Sequence, residues 1–553
     1  MKRGSKIALI VVLAIVVTIG VGIMSIDIWA SRMASKVVRN SIASDSTTTT
    51  YMSIGKVHVL LMSGCVGVED IYLTSDTSVI FLNDGKLQAC NPKNKKPGMA
   101  VYIPYIGVDF IQYIRFLKHK ELDIHDIYVY DPQIMVFLDE KKPKECLPVI
   151  NLTDSLRLAD ISNVLKRIEL ANLNLERVSA ELKSMRTQLH VTADSLSLAV
   201  NDLAFNMQDT TYAYNDSVYT LLAEHIYFKL GDGSAELDVR DITTKDAGSL
   251  CIGPLRFRNL VDSKKMAEKA KDYVTWVDIC VNSVKTSSIN PIRKGLSQDW
   301  TVDSVYADVR RLKVIRDQHM KPTHKFPLPQ EILMNIPARF AIGHVAARVS
   351  EIDCAMTLDA QNYGKLNMKN MDAEMQNISN RPKNIWRNKV RGSLGGDSRL
   401  EASLDLHMVK DGTFDVKLQG ENIELGALNS FLRPIAGLTC ESHLDKLETS
   451  YTGDKTMASG DFLMMYHGFN ITTYKENASI KEITQNAEII QAFANGLIPK
   501  SNPTVVDAYP RRYKVDWKRD EYKPYELYVF GPAINGVIET LLPGLYVHRQ
   551  IRQ

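Results

Sequence analysis

A short phrase of alternating apolar and polar residues recurs along the chain. It is clearest from Leu122 to Val129, where apolar residues occupy every second position on each side of Asp126. Alternation with period two indicates a β-strand with one buried face. Across Asp126 the apolar spacing becomes three, so the second half would point to the other face unless the backbone bends. We therefore expect a bulge or bend at this polar residue.

Further copies of the phrase extend this prediction along most of the chain. They are centred on Asp70, Asn172, Asp202 and Asp241, with weaker copies at Arg311, Asn370 and Asn422. Alternation alone is common in all-β proteins, but recurrence of the same bend favours one long sheet of similar units. A few short helices interrupt the pattern, and the charged segment Val261–Tyr273 is the most convincing of them.

The N-terminal stretch Ile7–Ile26 is uncharged and follows the basic residues Lys2, Arg3 and Lys6. About 20 helical residues cross a hydrocarbon core of roughly 30 Å, whereas the apolar core of a signal peptide is shorter. We therefore predict a transmembrane anchor with a cytoplasmic N-terminus and the bulk of the chain on the far side. A cleaved signal peptide ending near Ala30 is the alternative. The predicted anchor residues are Ile7, Leu9, Val12, Ile15, Ile19, Ile23 and Ile26.

Charge and composition argue against several classes of protein. The 67 basic and 64 acidic residues leave a net charge of +3, which gives no reason to expect nucleic acid as a partner. A hydrophobic content of 45% argues against disorder and against a polytopic membrane protein. Seven cysteines lie far apart without a CxxC pair, so neither a zinc site nor a redox motif is predicted.

The sequence lacks the common motifs of enzymes. It contains no Gly-x-Ser-x-Gly elbow, phosphate-binding loop, dinucleotide fingerprint or His-Glu-x-x-His motif, so we predict no enzyme, cofactor or metal site. His125 is expected to face solvent because its parity is opposite to that of Ile124. Asp238 and Asp241 could serve glycoside hydrolysis, but their place in the phrase favours a role at the bend. The basic run 511–514 could contact an acidic surface, although the alternation around it indicates a half-exposed strand.

Three blocks of sequence give the chain a resemblance to a known family. They are Ile103-Pro104-Tyr105-Ile106 through Asp131-Pro132, then Gly437–Asp445 with Ala458–Phe462 and Tyr466, and finally Ala533–Thr540. Together with the N-terminal span and the repeat sheet, these blocks resemble the AsmA-like superfamily of AsmA/TamB-type proteins in Gram-negative envelopes. The chain is shorter than the members that bridge a periplasm alone.

The resemblance implies a mainly β fold, in which an N-terminal transmembrane helix precedes a long curved antiparallel repeat β-sheet with a few short helices. The sheet would form an apolar groove that carries phospholipid or another acyl lipid. The inner membrane is the expected location, with the bulk of the chain in the periplasm. Outer-membrane or periplasmic proteins are further candidate partners. The residues expected to contact lipid are Leu122, Ile124, Leu198, Val200, Leu237, Val239, Leu366 and Met368.

This interpretation divides the chain into an anchor (1–30), a linker (31–50), an N-terminal β segment (51–150), a repeat groove (151–500) and a closing segment (501–553). The predicted function is non-enzymatic lipid transfer or envelope biogenesis. The alternative is a structural β-solenoid that binds envelope proteins rather than lipid, and a hydrolase ranks third. The first two differ in whether the protein's own side chains fill the apolar face.

Overall fold

The fold is described from a computed structural model of the chain. It covers residues 31–32, 51–60, 63–90, 96–112, 115, 118–138, 166–184, 189–206, 211–213, 219–230, 234–245, 249–294, 297–320, 322–336, 339–357, 363–436, 438–473, 496, 498–507 and 509–541. These residues are mainly β, as predicted. The chain divides into two compact units, Met1–Cys251 and Ile252–Gln553, which are described separately.

The first unit contains a mixed sheet and one separate hairpin. Its strands are β1 (Tyr51–Ser53), β2 (Val57–Leu60), β3 (Cys65–Thr74), β4 (Ile80–Asn83), β5 (Lys86–Ala89), β6 (Gly98–Asp109), β7 (Glu121–Tyr130), β8 (Gln133–Leu138), β9 (Arg167–Ser184), β10 (His190–Asn206), β11 (Thr211–Ala213), β12 (Tyr219–Leu230), β13 (Ala235–Lys245) and β14 (Ser249–Ile252). Strand β3 pairs with β1, β2 and β6, and β6 pairs with β7 and β8. Both β7 and β8 pair with β9, and the order continues through β10, β12 and β13 to β14.

The packed core of the first unit lies under the β4–β5 hairpin. Val79, Ile80 and Ala100 are fully buried there, and Tyr72 and Phe137 pack with them. The Tyr72 hydroxyl donates a hydrogen bond to the Ile80 carbonyl at 2.9 Å, which satisfies a buried polar group. This core therefore belongs to the start of the unit, and β9–β13 lie outside it.

The second unit contains a longer run of paired strands and the helices. Its strands are β15 (Leu255–Asn259), β16 (Val274–Lys294), β17 (Ser297–Asp317), β18 (Arg339–Thr357), β19 (Tyr363–Ser379), β20 (Ile385–Ser393), β21 (Arg399–His407), β22 (Phe414–Glu424), β23 (Leu438–Gly453), β24 (Met457–Thr473), β25 (Ser501–Asn502) and β26 (Arg512–Lys518). Its helices are α1 (Ser263–Ala270), α2 (Pro329–Met334), a 3-10 turn (Leu425–Leu428), α3 (Asn429–Ala436) and α4 (Tyr525–Leu541). Consecutive strands pair from β15 to β24, and β24 also pairs with β25 and β26.

Two buried clusters form the core of the second unit, both around the last strands and α4. Phe462, Tyr466 and Val515 belong to one cluster, and Phe414 and Tyr528 belong to the other. Helix α4 approaches the sheet through two glycines, because a Cβ on Gly531 or Gly536 would overlap an aromatic ring. The predicted helix at Val261–Tyr273 is confirmed as the shorter α1. The prediction that all the helices are short is wrong, because α4 spans 17 residues in a segment where no helix was expected.

The prediction of a wholly antiparallel sheet is wrong. Strands β7 and β8 both run parallel to β9, and β17 runs parallel to β18. Parallel neighbours need a crossover of about a dozen residues or more, and such a connection precedes both β9 and β18. In the second crossover, Thr323 Oγ1 and His324 Nδ1 each donate a hydrogen bond at 2.5 Å to the buried Asp272, which lies between α1 and β16. Burial alone would raise the pKa of Asp272, but these hydrogen bonds outweigh it and hold the pKa well below its ordinary value.

The predicted bend occurs in most copies of the repeated phrase. It is found at Asp70, Asp202, Asp241, Asn370 and Asn422, whose φ values lie between 52° and 55°. Asp and Asn adopt this left-handed conformation more readily than other side chains with a Cβ. In β13 the exposed Asp241 lies between Val239 and Ile242, which are only 7% and 8% exposed. The bend therefore keeps the apolar residues on both sides of it buried.

Three copies of the phrase depart from this rule. Asp126, Asn172 and Arg311 do not adopt a positive φ. Asn172 Nδ2 instead donates a hydrogen bond to Asp126 Oδ1 at 2.7 Å, across the parallel pair β7–β9. Beside Arg311 the β16–β17 register skips one residue, Arg310, which is the bulge that the spacing predicts.

Several predictions concern residues outside the described ranges. The membrane span Ile7–Ile26 lies there, and so does most of the 31–50 linker. Among the residues that the structure does describe, no helix combines the length and apolar character needed to cross a bilayer. The anchor and the segment boundaries of the sequence analysis therefore stay predictions.

Candidate functional site

An apolar surface extends across five neighbouring strands of the first unit, which we call the first apolar face. Residues directly opposite each other on paired strands share a face of the sheet, and so do residues two apart on one strand. The pairing of β8, β9, β10, β12 and β13 therefore aligns two rows on one face. One row is Ile134, Ala180, Ala193, Ile226 and Val239, and the other is Val136, Leu182, Val191, Phe228 and Leu237.

The side chains of the first apolar face remain partly open to solvent. Val239 and Val136 are buried, at 7% and 8% exposure, and the others are half-buried. A residue under a second layer of structure would lose nearly all of its exposure. The predicted lipid-contact residues Leu237 and Val239 thus lie at the end of an aligned apolar surface, where Leu237 is half-buried and Val239 is buried.

The other four predicted residues of the first unit also stand opposite apolar partners. Leu122 and Ile124 pair in register with Ile168 and Leu170 across the parallel β7–β9 ladder. Leu198 has apolar partners on both sides, in β9 and β12, and Val200 pairs with Leu173. Ile124 is 7% exposed, whereas Leu122, Leu198 and Val200 are half-buried.

The second unit carries a comparable surface, which we call the second apolar face. The pairing of β16, β17, β18 and β19 aligns Val277, Val314, Cys354 and Leu366 in one row and Ile279, Leu312, Ile352 and Met368 in the next. All eight side chains are half-buried. Desolvation in this row raises the pKa of the Cys354 thiol, as expected for a weakly polar surface. The predicted residues Leu366 and Met368 therefore have an apolar setting.

None of the eight predicted lipid-contact residues belongs to the three buried clusters of the described chain. Those clusters lie under the β4–β5 hairpin and around α4. Helix α1 contacts strands β16 and β17, and helix α3 contacts β18 and β19. The half-buried side chains of the apolar rows still retain exposed surface, which is available to a ligand or partner. Six of the eight side chains are half-buried, whereas a packed solenoid would bury all of them; Ile124 and Val239 are buried.

The alternating positions of the same strands carry ionic side chains. In the first unit, Glu181 contacts Lys183 at 2.5 Å and His190 at 2.8 Å. Burial would raise the pKa of Glu181, but its contacts with Lys183 and His190 outweigh burial and lower the pKa. Asp238 pairs with Arg240 at 3.1 Å, and this hydrogen bond is the main cause of its lowered pKa. The strands of this unit are thus amphipathic, with one apolar and one ionic face.

The opposite side of the second apolar face is polar as well. Asn367 Nδ2 donates hydrogen bonds to Asp353 Oδ1 at 2.7 Å and to Glu351 Oε1 at 3.0 Å. Lys313 lies over the Trp276 ring at 5.4 Å from its centroid. Each of these residues alternates along its strand with members of the apolar rows, so the two faces differ sharply in polarity.

The residues considered for catalysis take part in backbone bends and in contacts with neighbouring side chains. Asp241 occupies a left-handed bend, and Asp238 is paired with Arg240. His125 is exposed, as its parity predicts, and its ring contacts Asp126 at 2.7 Å. Across the described ranges, no group of three or more His, Cys, Asp or Glu side chains is arranged to hold a metal ion.

Some members of the two apolar faces were not among the residues predicted to contact lipid. Ile226 and Phe228 of β12, and Ile352 and Cys354 of β18, are examples. Their alternation was visible in the sequence, but neither strand carries the complete repeated phrase. Period-two alternation in the neighbouring strands was the signal that could have found them.

Comparisons with known proteins do not assign a function to these apolar faces. No protein-family model matches the sequence, and the search of curated proteins found no significant match.

Proposed function

We propose that the chain is a non-enzymatic lipid-transfer or envelope-biogenesis protein whose apolar faces contact acyl chains. The proposal follows the resemblance to the AsmA-like superfamily. The single observation that supports it best is the setting of Leu237, Val239, Leu366 and Met368. They lie in aligned apolar rows and belong to none of the buried clusters. Acyl chains gain free energy when such a surface removes them from water.

The proposal places the chain at the inner membrane through the predicted anchor Ile7–Ile26, with phospholipid or another acyl lipid as its ligand. A bilayer anchor at one end keeps the apolar faces close to a supply of lipid. The ionic back of each sheet suits an aqueous compartment such as the periplasm, because charged side chains there remain hydrated. No cofactor, nucleic acid or catalytic group has a part in this proposal.

Site-specific photo-crosslinking tests the proposal directly. A photoreactive p-benzoylphenylalanine replaces Leu237 or Leu366 in the full chain, and irradiated protein is analysed by mass spectrometry for lipid adducts. The matched controls are Arg240 and Lys365, exposed residues on the same two strands with the opposite parity. We expect lipid adducts at the first two positions and few at the controls.

Two outcomes would contradict the lipid proposal. Equal lipid labelling at apolar and control positions would indicate nonspecific contact with detergent-solubilised lipid. Protein adducts without lipid adducts at Leu237 and Leu366 would favour the alternative, an interaction protein of the envelope. Native mass spectrometry of the detergent-purified chain supplies an independent measurement, because retained lipid adds a discrete mass.

A further inference from the structure

The loop between β25 and β26 presents apolar side chains to solvent at its tip. Val505, Val506 and Tyr509 have relative exposures of 103%, 93% and 83%, the highest among the large apolar residues of the described chain. Two adjacent, fully exposed valines bury no apolar surface, so they add no hydrophobic stabilisation to the second unit. Their presence needs another explanation, because polar residues would be more soluble at the same positions.

The tip is a tight turn held in a defined conformation. The Asp507 amide donates to the Thr504 carbonyl at 3.2 Å, which closes a turn with Val505 and Val506 at its two central positions. Turn chemistry favours Pro, Gly, Asn, Asp or Ser at such positions, and β-branched apolar residues have no advantage there. The turn geometry therefore does not account for the two valines.

Polar contacts at the base of the loop fix the tip in place. Thr504 Oγ1 donates to Asp507 Oδ2 at 2.7 Å, and Arg511 donates to the same oxygen at 3.1 Å. The Thr504 and Arg511 contacts lower the pKa of Asp507, so it stays ionised and paired. Below them the buried Asn502 side chain accepts a hydrogen bond from the Arg511 amide at 2.9 Å. An ordered tip loses less conformational entropy on binding than a flexible one.

Basic residues flank this apolar tip along the chain. From Lys500 to Lys514 the chain has four basic residues and one acidic residue, Asp507, which is already paired with Arg511. Lys500, Arg512 and Lys514 are exposed. Residues 512–514 of the basic run lie in the half-exposed strand β26, as predicted, and Arg511 directly precedes this strand. The combination of inserted apolar side chains and flanking positive charge matches an anionic lipid surface.

We propose that the loop between β25 and β26 docks the second unit onto a lipid bilayer that exposes anionic headgroups, through residues 503–507 and 509–510. Val505, Val506 and Tyr509 would enter the interface, and the basic residues would contact the headgroups. A protein partner fits less well, because stable protein interfaces use about 20–30 residues on each side and this tip offers three large apolar side chains. The inference does not rest on lipid transfer by the apolar faces, since a docking loop could act without a groove.

Vesicle binding in trans tests the docking loop. The full chain is placed in nanodiscs of phosphatidylcholine, and sucrose-loaded vesicles containing equal parts of phosphatidylcholine and phosphatidylglycerol are added and sedimented. We expect the wild-type chain to co-sediment and the double variant Val505→Ser/Val506→Ser to lose at least roughly tenfold in apparent affinity. Binding by Arg512→Gln/Lys514→Gln should weaken on these vesicles, and binding by the wild-type chain should weaken as salt rises.

The matched control is Met457→Ser, which changes an apolar side chain of 51% exposure at the opposite end of the β24–β26 ladder. It should bind vesicles as the wild-type chain does. Thermal unfolding of the tip variants should match the wild type, since fully exposed side chains contribute little to the folded state.

Either of two results would overturn the proposal. Unchanged vesicle binding by the double serine variant would show that the tip is not the docking element. Failure of the wild-type chain to bind protein-free vesicles would exclude a lipid surface and leave a protein as the occupant of the loop. Neither result bears on photo-crosslinking at Leu237 and Leu366, so the two proposals can fail separately.

Discussion

The same substitution at two leucines of the second unit distinguishes an open apolar face from a packed core. Leu366 is half-buried in the second apolar face, whereas Leu406 is 2% exposed in the cluster under α4. Both lie on β-strands, so Leu→Asp changes the backbone propensity equally. We predict that Leu366→Asp folds and that Leu406→Asp does not.

The magnitude follows from the surroundings of each side chain. Loss of a buried leucine costs about 2–5 kcal/mol through lost transfer free energy and the cavity left behind. A carboxylate at Leu406 adds a desolvation penalty of several kcal/mol, since it would be sealed beside Phe414. At Leu366 the carboxylate can reach water, so the cost is on the order of 1 kcal/mol, from the partial burial that is lost. That corresponds to a decrease of about 2–4 °C in Tm.

Two measurements on the detergent-purified full chain make the comparison: Tm from thermal unfolding, and the amount of retained lipid from native mass spectrometry. Leu366→Asp should keep its Tm within a few degrees and lose lipid, because an acyl chain passing the charge would lose apolar contact. Lys365→Asp, which adds a charge on the opposite parity, should retain lipid. Similar unfolding of the Leu366 and Leu406 variants would show that the face is a sealed core. Unchanged lipid in a folded Leu366→Asp variant would refute its place on a lipid path.

Three further predictions concern the bend, α4 and the second crossover. Asp241→Val should destabilise the protein by about 1–2 kcal/mol, because a β-branched residue resists the left-handed backbone, whereas Asp241→Gly should not destabilise it. Equal shifts in the denaturant midpoint of the two variants would contradict this prediction. Gly536→Val should lower the stability of the fold by about 1–3 kcal/mol or more, since the new Cβ would lie 2.1 Å from Phe462 Cγ. An unchanged Tm would show that α4 can move away from the sheet. Asp272 has a lowered pKa in the folded state, so its stabilising effect is present above its ordinary pKa and lost as pH falls through the folded value. The stability gap between wild type and Asp272→Asn should therefore shrink in acid, and a gap independent of pH would argue against the contact with Thr323.

The sequence by itself determined the local features of the fold. Period-two alternation identified strands because the backbone of a strand places successive side chains on opposite faces. The change of spacing at Asp202, Asp241 and Asn370 identified bends, since an extended backbone cannot otherwise keep both halves on one face. These predictions depend only on residues a few positions apart, so the local geometry of the backbone is enough to decide them.

Strand partners were decided by the tertiary structure. Any extended strand can donate and accept ladder hydrogen bonds, so alternation at Ile124 or Ile352 does not say whether the neighbour is parallel or antiparallel. The parallel pairs β7–β9 and β17–β18 follow from crossovers whose paths the sequence does not encode locally. The pairing in turn determined which rows formed, and thus which residues joined Leu237 and Leu366 on the apolar faces.

Helix α4 shows even more strongly that local sequence does not determine the tertiary structure. Gly531, Pro532 and Gly536 are poor helix formers by intrinsic propensity, and they lie in the middle of a 17-residue helix. The glycines are needed because Trp517 and Phe462 lie directly against the helix backbone. Packing against β24 and β26 thus outweighs local preference. What the sequence alone determined was the polarity and period of each strand. Partners, cores and the exposure of the docking loop depended on contacts between residues far apart in the chain, which only the folded structure brings together.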